Sequence, residues 1–159
     1  MAFCQKQKED EEVASDTFKN CGAVILGSRT YLTAINGVWE SKSPFPAPVI
    51  VLSTQKLNVI KGLSVVNGGI DVALSQAKSI SNGKGIWVMG GANVVQQFLE
   101  ANLFDELHLH IAPVLLGTGT RLFEKHCNRK MEFIKTKVVE TPGATHLYLK
   151  PIPSAISTS

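Results

Sequence analysis

"IWVMGGANVVQQFL", residues 86–99, changes rhythm at its two glycines. Ile86, Trp87, Val88 and Met89 form a short β-branched and aromatic run that suits a buried strand, whereas Val94, Val95, Phe98 and Leu99 fall at i, i+1, i+4 and i+5, one face of a helix. Gly90 and Gly91 therefore mark a strand-to-helix seam. Each costs backbone entropy there, so each needs a reason. One reason is an anionic ligand, because the first N–H groups of a helix lack internal partners and carry the positive end of its dipole. The other is a tight turn and nothing more, since a Gly-Gly pair is far shorter than a full dinucleotide fingerprint.

The same alternation continues outward. "GAVILG" (22–27) reads as a buried strand, and "SRTYLTAI" (28–35) opens a helix with Ser28 as its N-cap. "VIVLS" (49–53) is a second buried strand and "LSVV" (63–66) a weaker third. "EDEEVASDTFKN" (9–20) is helical, with acid at its start as the dipole favours, and "IDVALSQAKSI" (70–80) places Ile70, Ala73, Leu74, Ala77 and Ile80 on one helical face. "SKSPFPAP" (41–48) must be a loop, because three prolines in five residues permit neither ladder nor helix. Beyond residue 104 the character changes. "DELHLHIAPVLL" (105–116), "MEFIKTKVVE" (131–140) and "THLYLK" (145–150) read as strands with no helix between them, the last two turning at "TPGA". The expected fold is α/β, a mixed sheet whose early strands are parallel and helix-connected and whose last pair is an antiparallel hairpin. One domain of 159 residues accounts for it, and the tail "PIPSAISTS" (151–159) has nothing to pack against.

Composition narrows the function. With 44% hydrophobic and 18% charged residues the chain is globular, and its net charge of +3 and pI near 8.8 are mild. No Lys/Arg cluster is interleaved with aromatics, which argues against nucleic acid and leaves a small anionic ligand as the better fit. Residues 1–16 hold no apolar signal core and no stretch approaches a membrane span, so a soluble cytoplasmic protein without membrane contact is expected. Cys4, Cys21 and Cys127 are odd in number and far apart, which argues against both a disulfide framework and a zinc site.

Three seams then compare. After Leu26 come Gly27, Ser28, Arg29 and Thr30; after Leu52 come Ser53 and Thr54; after Met89 come Gly90, Gly91, Ala92, Asn93 and Val94. In an open α/β sheet all three lie at the carboxyl edge of parallel strands, where ligands bind. They offer N–H and O–H donors suited to a pyrophosphate and a separate phosphate. Arg29 adds a planar charged fork that matches a phosphate, which hints at NADP rather than NAD; the alternative is a surface arginine paired with a carboxylate.

"VMGGANVVQQFLEANLFDELHLHIAPVLLGTGTRLF" (88–123), preceded by "VILGSRTY" (24–31), closely resembles the dihydrofolate-reductase-like family that includes the reductase domain of the bifunctional riboflavin-biosynthesis deaminase-reductase. The resemblance covers about residues 10–150. It implies a three-layer α/β/α fold, often a homodimer, and an NADPH-dependent reductase of a pteridine-like or ribosylaminopyrimidine-like small molecule. It also implies that Gly27, Ser28, Arg29 and Thr30 grip cofactor phosphates, that Ser53 and Thr54 form the 2′-phosphate turn, and that residues 90–94 cradle the pyrophosphate. "PVLLGTG" (113–119) resembles the loop beside the substrate pocket, making Leu115, Leu116 and Gly117 candidate linings.

The chain departs from the family at its start. Members begin with a central strand and a Ser-Leu-Asp-Gly-like turn, and nothing before Glu9 resembles either. The expectation is a sheet lacking an interior strand, from a truncated chain or from a paralogue that has lost the chemistry. No proton donor stands out. Asp105 and Glu106 open a strand, where acids are usually solvated. His108 and His110 share a strand face, but no third ligand is near, so a metal is not expected and His110 is read as lining the substrate side. His126 and His146 show no partner and read as surface or edge residues, and Trp39 and Trp87 as core or pocket-wall aromatics.

Overall fold

The computed structural model describes residues 8–39, 42–123 and 130–153. Helix α1 (Lys8–Asn20) runs without a loop into β1 (Cys21–Gly27), followed by α2 (Ser28–Gly37), β2 (Val49–Leu52), β3 (Leu63–Val66), α3 (Gly69–Ile80), β4 (Gly85–Gly90) and α4 (Ala92–Glu100). β5 (Leu107–Ile111), β6 (Phe133–Glu140) and β7 (Thr145–Pro151) complete it. The α/β reading holds, with one refinement. The strands form two sheets, a parallel one in the order β3-β2-β1-β4 and an antiparallel one in the order β5-β7-β6.

Alternation along β1 builds two cores. Ala23 and Ile25 face one side, where they meet Ala73 and Ala77 of α3 and Val94 and Phe98 of α4. Val24 and Leu26 face the other, against Tyr31 of α2, Trp39 and the half-buried Phe45 of the proline-rich loop. Helices thus cover both faces of the parallel sheet, as such sheets require. Trp39 is core, and Trp87 packs against Phe45 and Phe18 with centroids 5.5 and 5.7 Å apart.

The Phe18 contact also orients α1. Trp87 stands at the level of Val24 in the register of β4 on β1, so α1 folds back over the sheet toward the carboxyl ends of the strands. Its far end reaches the antiparallel sheet, where Asp10 bonds Thr141 and His146.

Two expectations at the end of the chain need correction. The strand expected over 105–116 stops at Ile111, because its partner β7 begins opposite it at Thr145 and Pro113 lacks a ladder N–H. The expected tail begins later than residue 151, since Pro151 belongs to β7 and Ile152 N–H donates to Glu132 O at 2.8 Å. Residues 154–159 lie outside the described residues.

Candidate functional site

β1 and β4 are neighbours, so their following turns meet. A Cβ on Gly27 would stand 3.0 Å from Val94 Cγ2 and 3.9 Å from both Gly90 O and Gly91 N. A Cβ on Gly91 would stand 2.9 Å from Thr30 Oγ1. Gly27, Thr30, Gly90, Gly91 and Val94 are therefore one contiguous surface. The register slips beside it, with Ile25 opposite Val88 but Leu26 opposite Gly90, so Met89 is an extra residue that re-aims the end of β4. Gly90 has φ of +132°, a conformation that side chains resist. The space where its Cβ would sit is open.

Both helices that start here begin bare. Gly27 is the N-cap of α2 and Gly91 of α4, and neither can offer a capping side chain. Ser28 is thus the first helical residue and not the expected cap. In α4 the amides of Val94 and Val95 both donate to Gly91 O, while the earlier amides of Ala92 and Asn93 have no turn before them to bond. Asn93 Oδ1 accepts from Gln97 Nε2 at 2.7 Å, so the side chain is engaged along its own helix. Arg29 is exposed and forms no ion pair among the described residues.

The third turn behaves differently. Ser53 is buried, its Oγ donates to Gln55 O at 2.8 Å, and Gln55 N–H donates back at 3.1 Å. The hydroxyl shapes its own turn and is not directed outward as a phosphate donor. Thr54, beside it, is exposed. The segment beyond is pinned to α2 through Tyr31, whose hydroxyl donates to Asn58 O and accepts from Ile60 N–H.

Of the residues expected beside a substrate, Leu115 is 100% exposed and Leu116 75%, so they enclose no pocket in this structure. Gly117 supplies a turn with φ of +72°. The loop's far end is anchored by buried Gln96 of α4, which donates to Leu122 O at 2.7 Å. His110 lies opposite His146, and their Nδ1 atoms are 2.7 Å apart. His146 is 5% exposed and its Nε2 lies 2.9 Å from Asp10 Oδ1, so it is no surface residue. His108 turns to Glu106 at 2.9 Å, and Lys150 also reaches that carboxylate at 3.3 Å. The His108 hydrogen bond, with Lys150 adding to it, holds the Glu106 carboxyl below its ordinary range. Cys21 is a free buried thiol, its pKa pushed up by burial. His126, Cys4 and Cys127 lie outside the described residues.

The model of the RibD C-terminal domain family matches residues 4–147. The chain belongs to that family. Among relatives, the uncharacterized protein YwjB of Bacillus subtilis is 29% identical over 125 residues, 76% of this chain and 68% of that protein. The solved structures agree in fold. A Shewanella sp. PV-4 protein ascribed to riboflavin biosynthesis superposes with a TM-score of 0.78 at 19% identity, covering 94% of this chain and 84% of that one. Dihydrofolate reductase from Enterococcus faecalis, complexed with NADP(H), does so with 0.63 at 17% identity, covering 89% and 81%.

As a RibD C-terminal domain, the chain has a reductase-like fold. One property of its sheets bears on the expected loss of an interior strand. β4 pairs with β1 alone and β5 with β7 alone, so among the described residues each sheet has an open edge there. Residues 1–7 lie outside the description.

Proposed function

We propose that this chain is a reductase using NADPH on a ribosylaminopyrimidine-like or pteridine-like substrate. The observation that carries the reading is the apposition of two bare helix N-termini, α2 and α4, at the carboxyl ends of adjacent parallel strands. Their backbone N–H groups suit a pyrophosphate. Gly90, Gly91, Ala92, Asn93 and Val94 would hold it from one side, and Gly27, Ser28 and Thr30 from the other. Gly90 leaves open space where a Cβ would intrude. Arg29 and Thr54 would bind the 2′-phosphate, with Ser53 ordering the turn that carries Thr54. The cofactor, when bound, supplies hydride. His110 and the loop carrying Leu115, Leu116 and Gly117 would face the substrate. We also place the protein in the cytoplasm as a homodimer. Exposed Ile111, Ile134 and Val138 on the antiparallel sheet support self-association, and no helix among the described residues is long and apolar enough to cross a membrane.

Titration calorimetry tests the cofactor. NADPH should bind more tightly than NADH, and Arg29→Ala should remove most of that preference while leaving NADH nearly unchanged. A charge-assisted contact is worth about 1.5–3 kcal/mol, or roughly ten- to a hundredfold in affinity. Equal affinities in the unmutated chain would sink the reading.

The open edges of β4 and β5 favour a second reading, a catalytically silent nucleotide-binding or oligomerising paralogue. NADPH oxidation with 5-amino-6-(5-phosphoribosylamino)uracil separates the two. Tight NADPH binding with no turnover would select the silent paralogue.

A further inference from the structure

The face of the antiparallel sheet beneath α1 holds a chain of polar groups that sequence spacing does not show. Asp10 accepts from His146 Nε2 at 2.9 Å and from Thr141 Oγ1 at 2.6 Å. An ionised carboxylate can only accept, so His146 carries its proton on Nε2 and leaves Nδ1 as a bare lone pair. That lone pair faces His110 Nδ1 at 2.7 Å, a distance that requires one proton between the two nitrogens. His110 then holds its proton on Nδ1. Its lone pair is then on Nε2, and His110 is exposed while His146 stays buried. Each tautomer is dictated by the partner beneath it.

We propose that Asp10, His146 and His110 form a proton relay that presents His110 Nε2 to a bound ligand as a proton acceptor and donor. For the identity of that ligand the proposal rests on the reductase reading. In the reduction NADPH would supply hydride to the carbon of a C=N or C=O bond, and the nitrogen or oxygen would take a proton delivered through His110, whose bare Nε2 first accepts that proton from solvent and then donates it to the substrate. The two imidazoles are left neutral, Nε2 of His110 is bare again and Asp10 is anionic, the net proton having come from solvent. His110 is the catalytic residue of this scheme; His146 and Asp10 act through it as positioning residues.

The surroundings set the resting charge. Burial, then the neighbouring His146 and His108, lower the His110 pKa, so the imidazole rests neutral at neutral pH. The other ionisable groups on this face are Glu106 and His108 on β5, Tyr148 and Lys150 on β7, Lys137 on β6 over the Tyr148 ring, and Asp10 and Asp16 on α1. Of these carboxylates Asp10 is the one hydrogen-bonded to the pair, through His146 Nε2.

Long-range nitrogen–proton NMR on the full chain with labelled histidine reads the tautomers directly. The expected spectrum at neutral pH has His146 protonated on Nε2 and His110 on Nδ1. Asp10→Asn, whose amide can also turn its NH2 toward the ring, should weaken the His146 preference for the Nε2 tautomer. Should Asp10→Asn fail to fold, His110→Gln at the exposed position supplies the second variant, and His146 should stay protonated on Nε2 in it. With the uracil substrate, His110→Gln should lower kcat at least tenfold while NADPH affinity stays within twofold. Neutral His110 carrying its proton on Nε2 and not on Nδ1 at neutral pH, or His146 protonated on Nδ1, overturns the relay whatever the turnover. Normal kcat in His110→Gln overturns its catalytic part. An intact relay in a chain that binds no NADPH would instead retire the reductase reading and leave the proton chemistry standing.

Discussion

The parallel and antiparallel sheets have comparable numbers of strands but opposite relations to solvent. Six of the seven residues of β1 are buried, whereas six of the eight in β6 are exposed. The cause is coverage. α3 and α4 close one face of the parallel sheet, and α2 with the proline-rich loop closes the other. The antiparallel sheet receives α1 on one face, and Ile134 and Ile111 stand 58% and 54% exposed. Stability is thus concentrated in one sheet, while titratable groups collect on the other. The candidate cofactor turns stand at the edge of the rigid sheet, and the histidine relay lies on the more open one.

The largest expected effect tests that division. Ile25 is fully buried between α3 and the sheet, and Ile25→Ala should cost about 2–5 kcal/mol in urea unfolding. Ile134→Ala, on the exposed strand, should cost under about 1 kcal/mol. Comparable losses would mean that the antiparallel sheet is covered in solution, and sedimentation would then show the dimer that covers it.

What the sequence disclosed follows the same division. Buried parallel strands are continuous apolar runs, so "VILG" and "VIVL" were legible, and the glycines at 90 and 91 marked their turn. Half-exposed strands carry a weaker pattern. The run ending at Leu116 was overextended because only the register against β7 shows where pairing stops. The relay was hidden for a related reason. His110 and His146 lie 36 residues apart and Asp10 another hundred away, so their meeting depends on strand register and on the fold-back of α1. A polar residue within a half-exposed strand signals only a solvated face. The role of the Ser53 hydroxyl is hidden too, because a hydroxyl that closes its own turn has the same spacing as one that binds a ligand.

A smaller effect divides the two glycines of the opening stretch. Gly90→Ala forces a side chain into φ of +132° and should cost about 1 kcal/mol or somewhat more. Gly91 has φ of −70°, which alanine accepts, and its difficulty is Thr30 Oγ1 at 2.9 Å from the new Cβ. Gly91→Ala should therefore be relieved by Thr30→Ala, whereas Gly90→Ala should not. Thermal melts of the four proteins check this. Calorimetry on the same set shows whether NADPH affinity falls further than stability does, as close backbone approach to a pyrophosphate requires. If Gly91→Ala unfolds the chain badly while the folded fraction binds NADPH normally, the glycines are a tight turn alone.

The smallest effect is electrostatic and belongs to the antiparallel sheet. Glu106 accepts from His108 and pairs with Lys150, and these contacts lower its folded pKa. A lowered carboxylate pKa means that the unfolded chain binds a proton more readily than the folded one. The contribution is fully present above the unfolded carboxylate pKa and is lost as pH falls through the folded value. Both side chains of the His108 pair are over 30% exposed, so screening holds its worth to at most about 1 kcal/mol. Glu106→Gln should then be less stable than the unmutated chain at pH 7 and equal to it near pH 2, and molar salt should shrink the pH 7 difference. Ile25→Ala provides the contrast, because burial of an aliphatic side chain carries no proton and its cost should be the same at both pH values. A Glu106→Gln deficit that persists in acid would show that the carboxylate packs rather than pairs, and the antiparallel sheet would then owe its stability to the same forces as the parallel one.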